Sequence, residues 1–153
     1  MIVVRVYGIL VNEHKQVLVS DELIRGGYYT KFCGGGMEKG EGTLDCLRRE
    51  FREEMDLVVS VQEHIYTTDF YQQSAFNPDH QILSVYYRVE PLEPIKAPLR
   101  NQPFAFDQAQ MLIYDQMGSV ETFRFVNSID FSADTVTLPI DKIVAGIIRE
   151  KYL

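Results

Sequence analysis

Residues 34–57, which read GGGMEKGEGTLDCLRREFREEMDL, decide the fold of this chain. Three consecutive glycines open the segment, and Gly40 and Gly42 bracket Glu41. Helical periodicity follows from about Leu44 to Met55, so the sequence predicts a glycine-rich loop that leads into a helix. Backbone without Cβ atoms can approach a phosphate or a metal ion closely, which makes this loop a candidate binding element.

The predicted helix separates apolar from acidic side chains. Thr43 is the expected N-cap, and Asp45 in the first turn suits the positive end of the helix dipole. At about 100° per residue, one apolar stripe faces the core. Its members are Leu44, Leu47, Phe51 and Met55. The carboxylates beside that stripe are Glu50, Glu53 and Glu54.

Crowding of carboxylates is the informative feature of this helix. Like charges at i+3 and i+4 each cost about 0.2–0.5 kcal/mol, and partial burial raises that cost. A divalent cation reverses the sign, because Mg²⁺ binds carboxylate oxygens and keeps its other positions for water and substrate phosphates. For the glutamates alone, a solvated acidic face is the alternative interpretation. The glycine loop favours a metal site, since it lets Glu41 fold back toward the other carboxylates.

The segment resembles the Nudix box, in which glycine, glutamate, arginine and an acidic helix recur at fixed spacing. Eight of nine defined positions fit over 23 residues, from Gly35 to Leu57. They are Gly35, Glu41, Arg49, Glu50, Phe51, Glu53, Glu54 and Leu57. The resemblance implies a Nudix-like α/β/α sandwich, with a mixed β-sheet between helices, in a single domain of residues 1–153. It also implies a Mg²⁺-dependent hydrolase, with Mn²⁺ as an alternative ion.

The same resemblance assigns a metal site and a catalytic group. The firmest implied Mg²⁺ ligands are the carboxylates of Glu50 and Glu54. Glu53 is implied as a further ligand and Glu41 as an outer one. A backbone carbonyl of Gly34 or Gly35 is implied to complete the set. The three helix carboxylates and Arg49 form the implied catalytic group.

The identity of the general base has two alternatives. The resemblance makes Glu53 the residue that deprotonates the attacking water, unless a later loop supplies the base, for which Glu121 is the candidate. Arg49 has i,i+4 spacing from both Asp45 and Glu53, which predicts two ion pairs. We expect Arg49 to hold Glu53 in place rather than to contact substrate.

Two positions depart from the family pattern. Asp56 stands where the family has glycine, at a position that commonly takes left-handed geometry at a cost of about 1 kcal/mol. Cys33 stands where many members have proline. A redox or catalytic role for Cys33 stays open, although a small buried strand residue is the favoured interpretation. Cys46 is a poor Mg²⁺ ligand.

Three basic residues are candidates for contacts with a substrate phosphate. Lys31, Lys39 and Arg25 flank the glycine loop, and a cation there could meet a phosphate. Each of them is also typical of a solvated surface.

The rest of the chain predicts an α/β protein. β-Branched and aromatic residues predict strands at 2–11, 16–20, 28–33, 58–68, 81–89 and 122–127. Residues 91–103 contain four prolines and predict an irregular loop. Pro139 opens a predicted helix. Its core-facing stripe is Ile140, Ile143, Val144, Ile147 and Ile148.

Composition narrows the class of protein. The 153 residues suffice for one domain, and 46% hydrophobic with 24% charged residues is typical of a globular chain. A net charge of −7 disfavours nucleic acid and anionic membranes as partners. The apolar N-terminal run is too short to span a membrane, so we expect a cytoplasmic protein with Cys33 and Cys46 as free thiols.

The sequence therefore predicts a Mg²⁺-dependent hydrolase that cleaves a diphosphate bond in a small nucleotide-like molecule. Nucleotide sugars, ADP-ribose-like compounds, dinucleoside polyphosphates and oxidised nucleoside triphosphates are all open as substrates. The alternative is a non-catalytic nucleotide-binding or sensor module with the same fold. A third interpretation, an isomerase of an isoprenoid diphosphate, needs a cysteine–glutamate pair that the sequence does not locate. A homodimer, with residues 91–103 as a contact, is also left open.

Overall fold

The structure is a computed structural model, and it describes all residues from 1 to 153. The chain contains eight strands and three helices, and four of the strands precede the first helix. In order they are β1 (Ile2–Ile9), β2 (Val17–Ile24), β3 (Gly27–Lys31), β4 (Cys33–Gly36), α1 (Thr43–Met55), β5 (Val59–Thr67), β6 (Gln81–Pro91), β7 (Leu99–Arg100), α2 (Gln108–Met117), β8 (Ser119–Val126), a 3₁₀ turn (Ala133–Thr135) and α3 (Pro139–Tyr152). None of the helices combines the length and the apolar character that crossing a bilayer requires.

The internal contacts divide the chain into two compact units. Unit 1 comprises Met1–Leu10 with Cys33–Lys96, and unit 2 comprises Val11–Phe32 with Ala97–Leu153. Each unit contains one four-stranded sheet with both parallel and antiparallel pairs. The predicted α/β class, with mixed sheets and helices, is thereby confirmed.

In unit 1 the sheet has the order β4-β1-β6-β5, and the glycine strand β4 forms one edge. Helix α1 packs on this sheet, and its buried residues are Cys46, Leu47, Phe51 and Met55. Gly8 lies against the Phe51 ring, where an added Cβ atom would come within 2.6 Å of a ring carbon. A larger residue at position 8 would therefore displace the ring or the helix that carries it.

The prediction that Leu44 belongs to the core-facing stripe of α1 is wrong. Leu44 is 40% exposed, whereas Cys46 is fully buried. The two positions lie about 200° apart around a helix. Because the first turn presents Cys46 to the glycine strand, with its Sγ 3.8 Å from the Gly35 carbonyl oxygen, Leu44 points outward.

Unit 2 is built on a sheet with the order β3-β2-β8-β7. Helix α3 begins at Pro139 as predicted. Its buried residues are Ile140, Asp141, Val144, Ala145 and Ile148. Ile143 is 42% exposed, so the prediction for that position is wrong. The reason is the same as at Leu44, because Ala145 lies about 200° from Ile143 and faces the core instead.

Three elements are missing from the sequence expectations. β4 is made mostly of glycine, which has low strand propensity. β7 is a two-residue strand inside the segment predicted to be an irregular loop. α2 has no buried residue, so it lacks the core-facing stripe from which a helix is recognised.

Candidate active site

The glycine strand lies directly against a carboxylate of helix α1. Antiparallel pairing with β1 places Gly35 opposite Val6. A Cβ atom at Gly35 would be 2.5 and 2.6 Å from the two oxygens of Glu50. This close approach requires glycine, since any other residue would push the Glu50 carboxylate away.

Helix α1 begins after Gly42. Gly42 is the N-cap, so the prediction of Thr43 is wrong by one position. The Gly42 N–H donates to the Asp45 carboxylate at 3.1 Å, which is the half of a capping box that the N3 residue supplies. The Thr43 hydroxyl instead lies 2.8 Å from the Tyr87 hydroxyl.

Arg49 lies at the centre of the carboxylates. Its Nη2 and Nε donate to the two oxygens of Glu41 at 2.6 and 3.0 Å. Its Nη1 donates to Glu50 at 3.0 Å and to Glu53 at 3.2 Å. Nη2 also donates to the Gly36 carbonyl at 3.0 Å. One guanidinium therefore ties together the loop, the glycine strand and the acidic face of the helix.

Only one of the two predicted ion pairs of Arg49 forms. The pair with Glu53 is confirmed at 3.2 Å. The pair with Asp45 is wrong, because Asp45 lies 3.9 Å from Arg48 and accepts the N-cap hydrogen bond. Arg49 turns toward the loop, where Glu41 offers both carboxylate oxygens to its planar guanidinium.

Sequence reasoning missed Glu38 as a member of the cluster. Its carboxylate lies 3.7 Å from Arg49, and its backbone N–H donates to Glu41 at 2.8 Å. The available signal was an acidic residue three positions before Glu41 in the same glycine-rich loop.

These contacts shift the acid–base properties of the cluster. Hydrogen bonds from Arg49 and, second, from the Glu38 N–H lower the pKa of Glu41 from 4.5 to about 2. The same bonds to Glu41 raise the pKa of Arg49 above its usual range. Burial and, second, the charge of Glu41 raise the pKa of the Cys46 thiol to about 12. Glu41 is therefore ionised and Cys46 protonated at neutral pH.

The carboxylates differ in their access to solvent. The side chains of Glu41 and Glu50 are 14% and 12% exposed, whereas that of Glu53 is 59% exposed. Glu54, on the same helix, is half-buried. Glu50 is thus fixed beside the glycine strand and Glu41 is fixed by Arg49, whereas Glu53 is open to water.

The donor set fits a hard divalent cation. Its members offer carboxylate and carbonyl oxygens, the ligands that Mg²⁺ prefers. The Glu50 carboxylate lies in space that a Cβ atom on Gly35 would occupy, which supports the fit of these residues to a metal ion. No three His, Cys, Asp or Glu side chains are grouped closely enough to hold a metal ion, and Arg49 supplies the positive charge among these carboxylates. Binding of a cation would therefore require some of these contacts to rearrange.

The structure shows the conformation of Asp56 and the burial of Cys33, the two positions that depart from the family pattern. Asp56 has φ 50° and ψ 44°, which confirms the predicted left-handed geometry after the helix. Its carboxylate pairs with Lys96 at 3.2 Å and not with Arg49. Cys33 is 1% exposed in β4, which confirms a buried strand residue. Both Cys33 and Cys46 are free thiols.

The predicted substrate cations lie in different parts of the chain. Lys39 is exposed in the glycine loop of unit 1. Lys31 belongs to unit 2, where it is 6% exposed and pairs with Glu22 at 2.8 Å. Arg25, also in unit 2, takes a left-handed φ of 46° between β2 and β3. Lys39 is therefore the one predicted cation in the unit that holds the glycine loop.

The alternative base, Glu121, lies within a strand. The prediction placed it just before a strand, whereas β8 begins at Ser119. Its carboxylate accepts a hydrogen bond from the Ser20 hydroxyl at 2.8 Å, and both residues belong to unit 2.

Comparison with known proteins identifies the family. The family model described as the NUDIX domain matches residues 1–128, which include the whole box. The chain belongs to the Nudix family. It is accordingly a Nudix-type pyrophosphohydrolase, a hydrolase of acid anhydrides. A sequence comparison with curated proteins gave no match.

Solved structures share the Nudix fold with this chain at low sequence identity. The E. coli ORF135 protein aligns with a TM-score of 0.67 at 14% identity, over 97% of this chain and 89% of that one. The MutT protein from Methanosarcina mazei Go1 aligns with a TM-score of 0.69 at 12% identity, over 99% and 96%. A UDP-X diphosphatase aligns with a TM-score of 0.62 at 11% identity, over 100% and 65%. At these identities the likeness establishes the fold alone.

Proposed function

We propose that this Nudix hydrolase cleaves the diphosphate bond of a nucleoside diphosphate linked to another moiety, in a Mg²⁺-dependent reaction. The supporting observation is the carboxylate cluster, in which Glu41, Glu50 and Glu53 share the single guanidinium of Arg49. The cluster therefore keeps excess negative charge. A divalent cation shared with an anionic substrate offsets that excess.

The proposed metal ligands come from the helix and the glycine strand. They are Glu50 and Glu54 as primary ligands, Glu53 and Glu41 as further ligands, and a backbone carbonyl of Gly34 or Gly35. When bound, Mg²⁺ supplies Lewis acidity toward phosphoryl oxygens and lowers the pKa of a coordinated water. Mn²⁺ prefers the same carboxylate and carbonyl oxygens and is the alternative ion.

Glu53 is the proposed general base. Arg49 holds its Oε2 at 3.2 Å, while the side chain is 59% exposed. The other carboxylate oxygen is thus available to accept a proton from water. Arg49 acts here as a positioning residue, because its bonds to Glu41 and Glu50 fix the loop and the helix relative to each other. Glu121 stays the alternative base.

The proposed substrates are nucleotide sugars, ADP-ribose-like compounds and nucleoside triphosphates. Lys39 is the first candidate for a phosphate contact, and Lys31 and Arg25 are weaker ones. We assign residues 1–153 to a single Nudix hydrolase domain with no broad affinity for nucleic acid, since the net charge is −7. A homodimer through residues 91–103 stays a prediction.

A substrate panel followed by phosphorus NMR tests this proposal. The panel contains ADP-ribose, UDP-glucose, a diadenosine polyphosphate and an oxidised nucleoside triphosphate, each with Mg²⁺ and with EDTA. We expect cleavage of at least one compound with Mg²⁺ and none with EDTA. Cleavage in EDTA would contradict the mechanism. No cleavage of any compound would favour the sensor alternative.

A further inference from the structure

Unit 2 contains a cavity that the box residues do not line. Its volume is about 430 Å³, within the range of pockets that hold small ligands. Its lining includes Tyr28, Thr30, Phe104, Arg124, Asp130 and Asp134. All of them belong to unit 2.

A fully buried carboxylate organises one side of this cavity. Asp21 has no exposed surface and accepts hydrogen bonds from Arg124 Nε at 2.6 Å and Nη2 at 3.2 Å. It also accepts from the Thr30 hydroxyl at 2.7 Å and from the Phe104 N–H at 3.3 Å. Three residues that line the cavity are thus fixed by one acceptor. Fixed side chains favour binding because little conformational entropy is lost.

Arg124 keeps donor capacity toward the cavity. Its side chain is 13% exposed, and its Nε and Nη2 are directed to Asp21. Its Nη1 makes no hydrogen bond within the chain, although a guanidinium carries five N–H donors. Because Asp21 already neutralises the charge of Arg124, a ligand here needs a hydrogen-bond acceptor rather than a formal negative charge.

An aromatic pair forms another part of the lining. The rings of Tyr28 and Phe104 pack edge to face with centroids 5.1 Å apart. Phe104 has a φ of 56°, a left-handed geometry that is uncommon for a bulky residue and that clusters at ligand sites. Tyr28 is 58% exposed, which leaves much of its ring surface open to a planar ligand.

Two exposed carboxylates complete the cavity. Asp130 and Asp134 line it together with the hydroxyl residues Thr135 and Thr137. With Arg124 neutralised by Asp21, the charge that remains is negative. A phosphate group would be repelled, whereas N–H donors of a ligand would find acceptors.

We propose that this cavity, which the box residues do not line, binds the base of a guanine-type nucleoside. Guanine offers O6 and N7 as acceptors for Arg124, and its N1–H and N2–H₂ are donors for Asp130 and Asp134. Its planar ring matches the open face of Tyr28. Adenosine lacks the O6 acceptor and the N1–H donor, so it binds more weakly.

Titration of guanosine into the isotope-labelled full chain in EDTA tests this inference. EDTA removes divalent cations, so binding through a metal ion at the box carboxylates does not contribute to the measurement. We expect saturable shifts of the Arg124 side-chain N–H signals and weaker binding of adenosine and of guanosine 5′-monophosphate than of guanosine. Guanosine 5′-monophosphate that binds as tightly as guanosine would overturn the assignment of a negatively charged cavity.

Matched variants assign the binding to this cavity. Tyr28→Ser and Asp134→Asn should each weaken guanosine binding by about tenfold, through loss of an aromatic contact and of a charged acceptor. Both positions are exposed, so the fold is kept, whereas replacing Arg124 would leave Asp21 buried without its partner. The controls are Tyr71→Ser and Asp115→Asn, which alter exposed residues outside the lining.

The outcomes separate this inference from the proposed activity. Loss of binding in the two cavity variants and not in the controls supports it, whether or not the chain hydrolyses any substrate. No saturable shift at millimolar guanosine, or equal binding by all four variants, would overturn it. The variant Glu53→Gln should bind guanosine as the wild type does, because Glu53 does not line the cavity.

Discussion

Two arginine–carboxylate clusters, one around Arg49 and one around Arg124, differ in charge balance. In unit 1, Arg49 is shared by several carboxylates, and Glu53 among them is 59% exposed. In unit 2, Arg124 is paired in bidentate fashion with Asp21 alone, and Asp21 has no exposed surface. A charge neutralised one to one can be buried, whereas an excess of carboxylates needs solvent or an added cation. We therefore propose the cluster with excess carboxylates around Arg49, called here the unbalanced cluster, as the metal site.

The largest effect is expected from Glu53→Gln. If Glu53 is the base, the variant should lower kcat by about 10²–10⁴-fold, because the proton acceptor is lost. Stability should hardly change, since the side chain is 59% exposed. Steady-state kinetics at saturating Mg²⁺ and urea unfolding measure the two quantities. The matched control is Glu38→Gln, which removes another carboxylate near Arg49 and should keep most activity. Equal kcat in wild type and Glu53→Gln would exclude Glu53 as the base.

The buried side of the comparison is tested by Asp21→Asn. Removal of one partner of a buried ion pair leaves the other uncompensated, so the free energy of unfolding should fall by about 3–5 kcal/mol. Urea denaturation measures this change. Asp134→Asn, at an exposed carboxylate of the same unit, serves as the control and should have a small effect. Equal losses of unfolding free energy in the two variants would show that the burial of Asp21 does not determine its contribution to stability.

Arg49→Gln tests whether Arg49 and a divalent cation both offset the negative charge of the same carboxylates. In EDTA the variant leaves Glu41, Glu50 and Glu53 without their shared partner, and the part-exposed cluster should lose about 1–2 kcal/mol. Mg²⁺ should stabilise this variant more than the wild type, because the cation has more uncompensated charge to offset. Urea midpoints with and without Mg²⁺ measure the difference. An identical Mg²⁺ effect in both proteins would contradict this account.

The pH dependence of stability should report the Glu41–Arg49 pair. The pKa of Glu41 is lowered from 4.5 to about 2, chiefly by its hydrogen bonds from Arg49. A lowered pKa means that the pair stabilises the fold fully above pH 4.5, and that this contribution is lost as the pH falls toward 2. Thermal unfolding of wild type and Glu41→Gln between those limits should converge as the pH falls. A gap that stays constant over this range would show that Glu41 is not held by Arg49.

The smallest effect is expected at an ion pair whose two side chains are mostly exposed to solvent. Asp56 and Lys96 lie 3.2 Å apart with side chains 70% and 55% exposed. Asp56→Asn keeps a residue that tolerates left-handed geometry and removes only the charge, so stability should change by less than about 1 kcal/mol. Urea unfolding measures the change in stability. A loss comparable to that of Asp21→Asn would contradict the proposal that buried ion pairs contribute more to stability than exposed ones.

Local periodicity carried much of the sequence prediction. The spacing of Glu50 and Glu53 on α1 and the ion pair of Glu53 with Arg49 follow from helical geometry, and the left-handed Asp56 follows from its position after the helix. The same reasoning failed at Leu44, because the orientation of the first turn depends on how Cys46 meets the glycine strand. A periodic pattern does not contain that tertiary contact.

Features that depend on distant residues could not be predicted. Asp21 and Arg124 are 103 positions apart, and only the pairing of β2 with β8 brings them together. Helix α2 buries no residue, so its sequence has no core-facing pattern to detect. Glu41 is the main partner of Arg49 because of the way the glycine loop folds back. The glycine content of the loop allows this conformation but does not determine it.

Calorimetric titration of Mg²⁺ tests most directly that the unbalanced cluster is a cation site. The proteins are the wild type and two variants that each lack one carboxylate, Glu54→Gln on α1 and Asp134→Asn in unit 2. Saturable binding should weaken by about tenfold or more in Glu54→Gln, equivalent to about 1.4 kcal/mol, and stay unchanged in Asp134→Asn. Equal affinity in all three proteins, or no saturable binding to the wild type, would contradict the account.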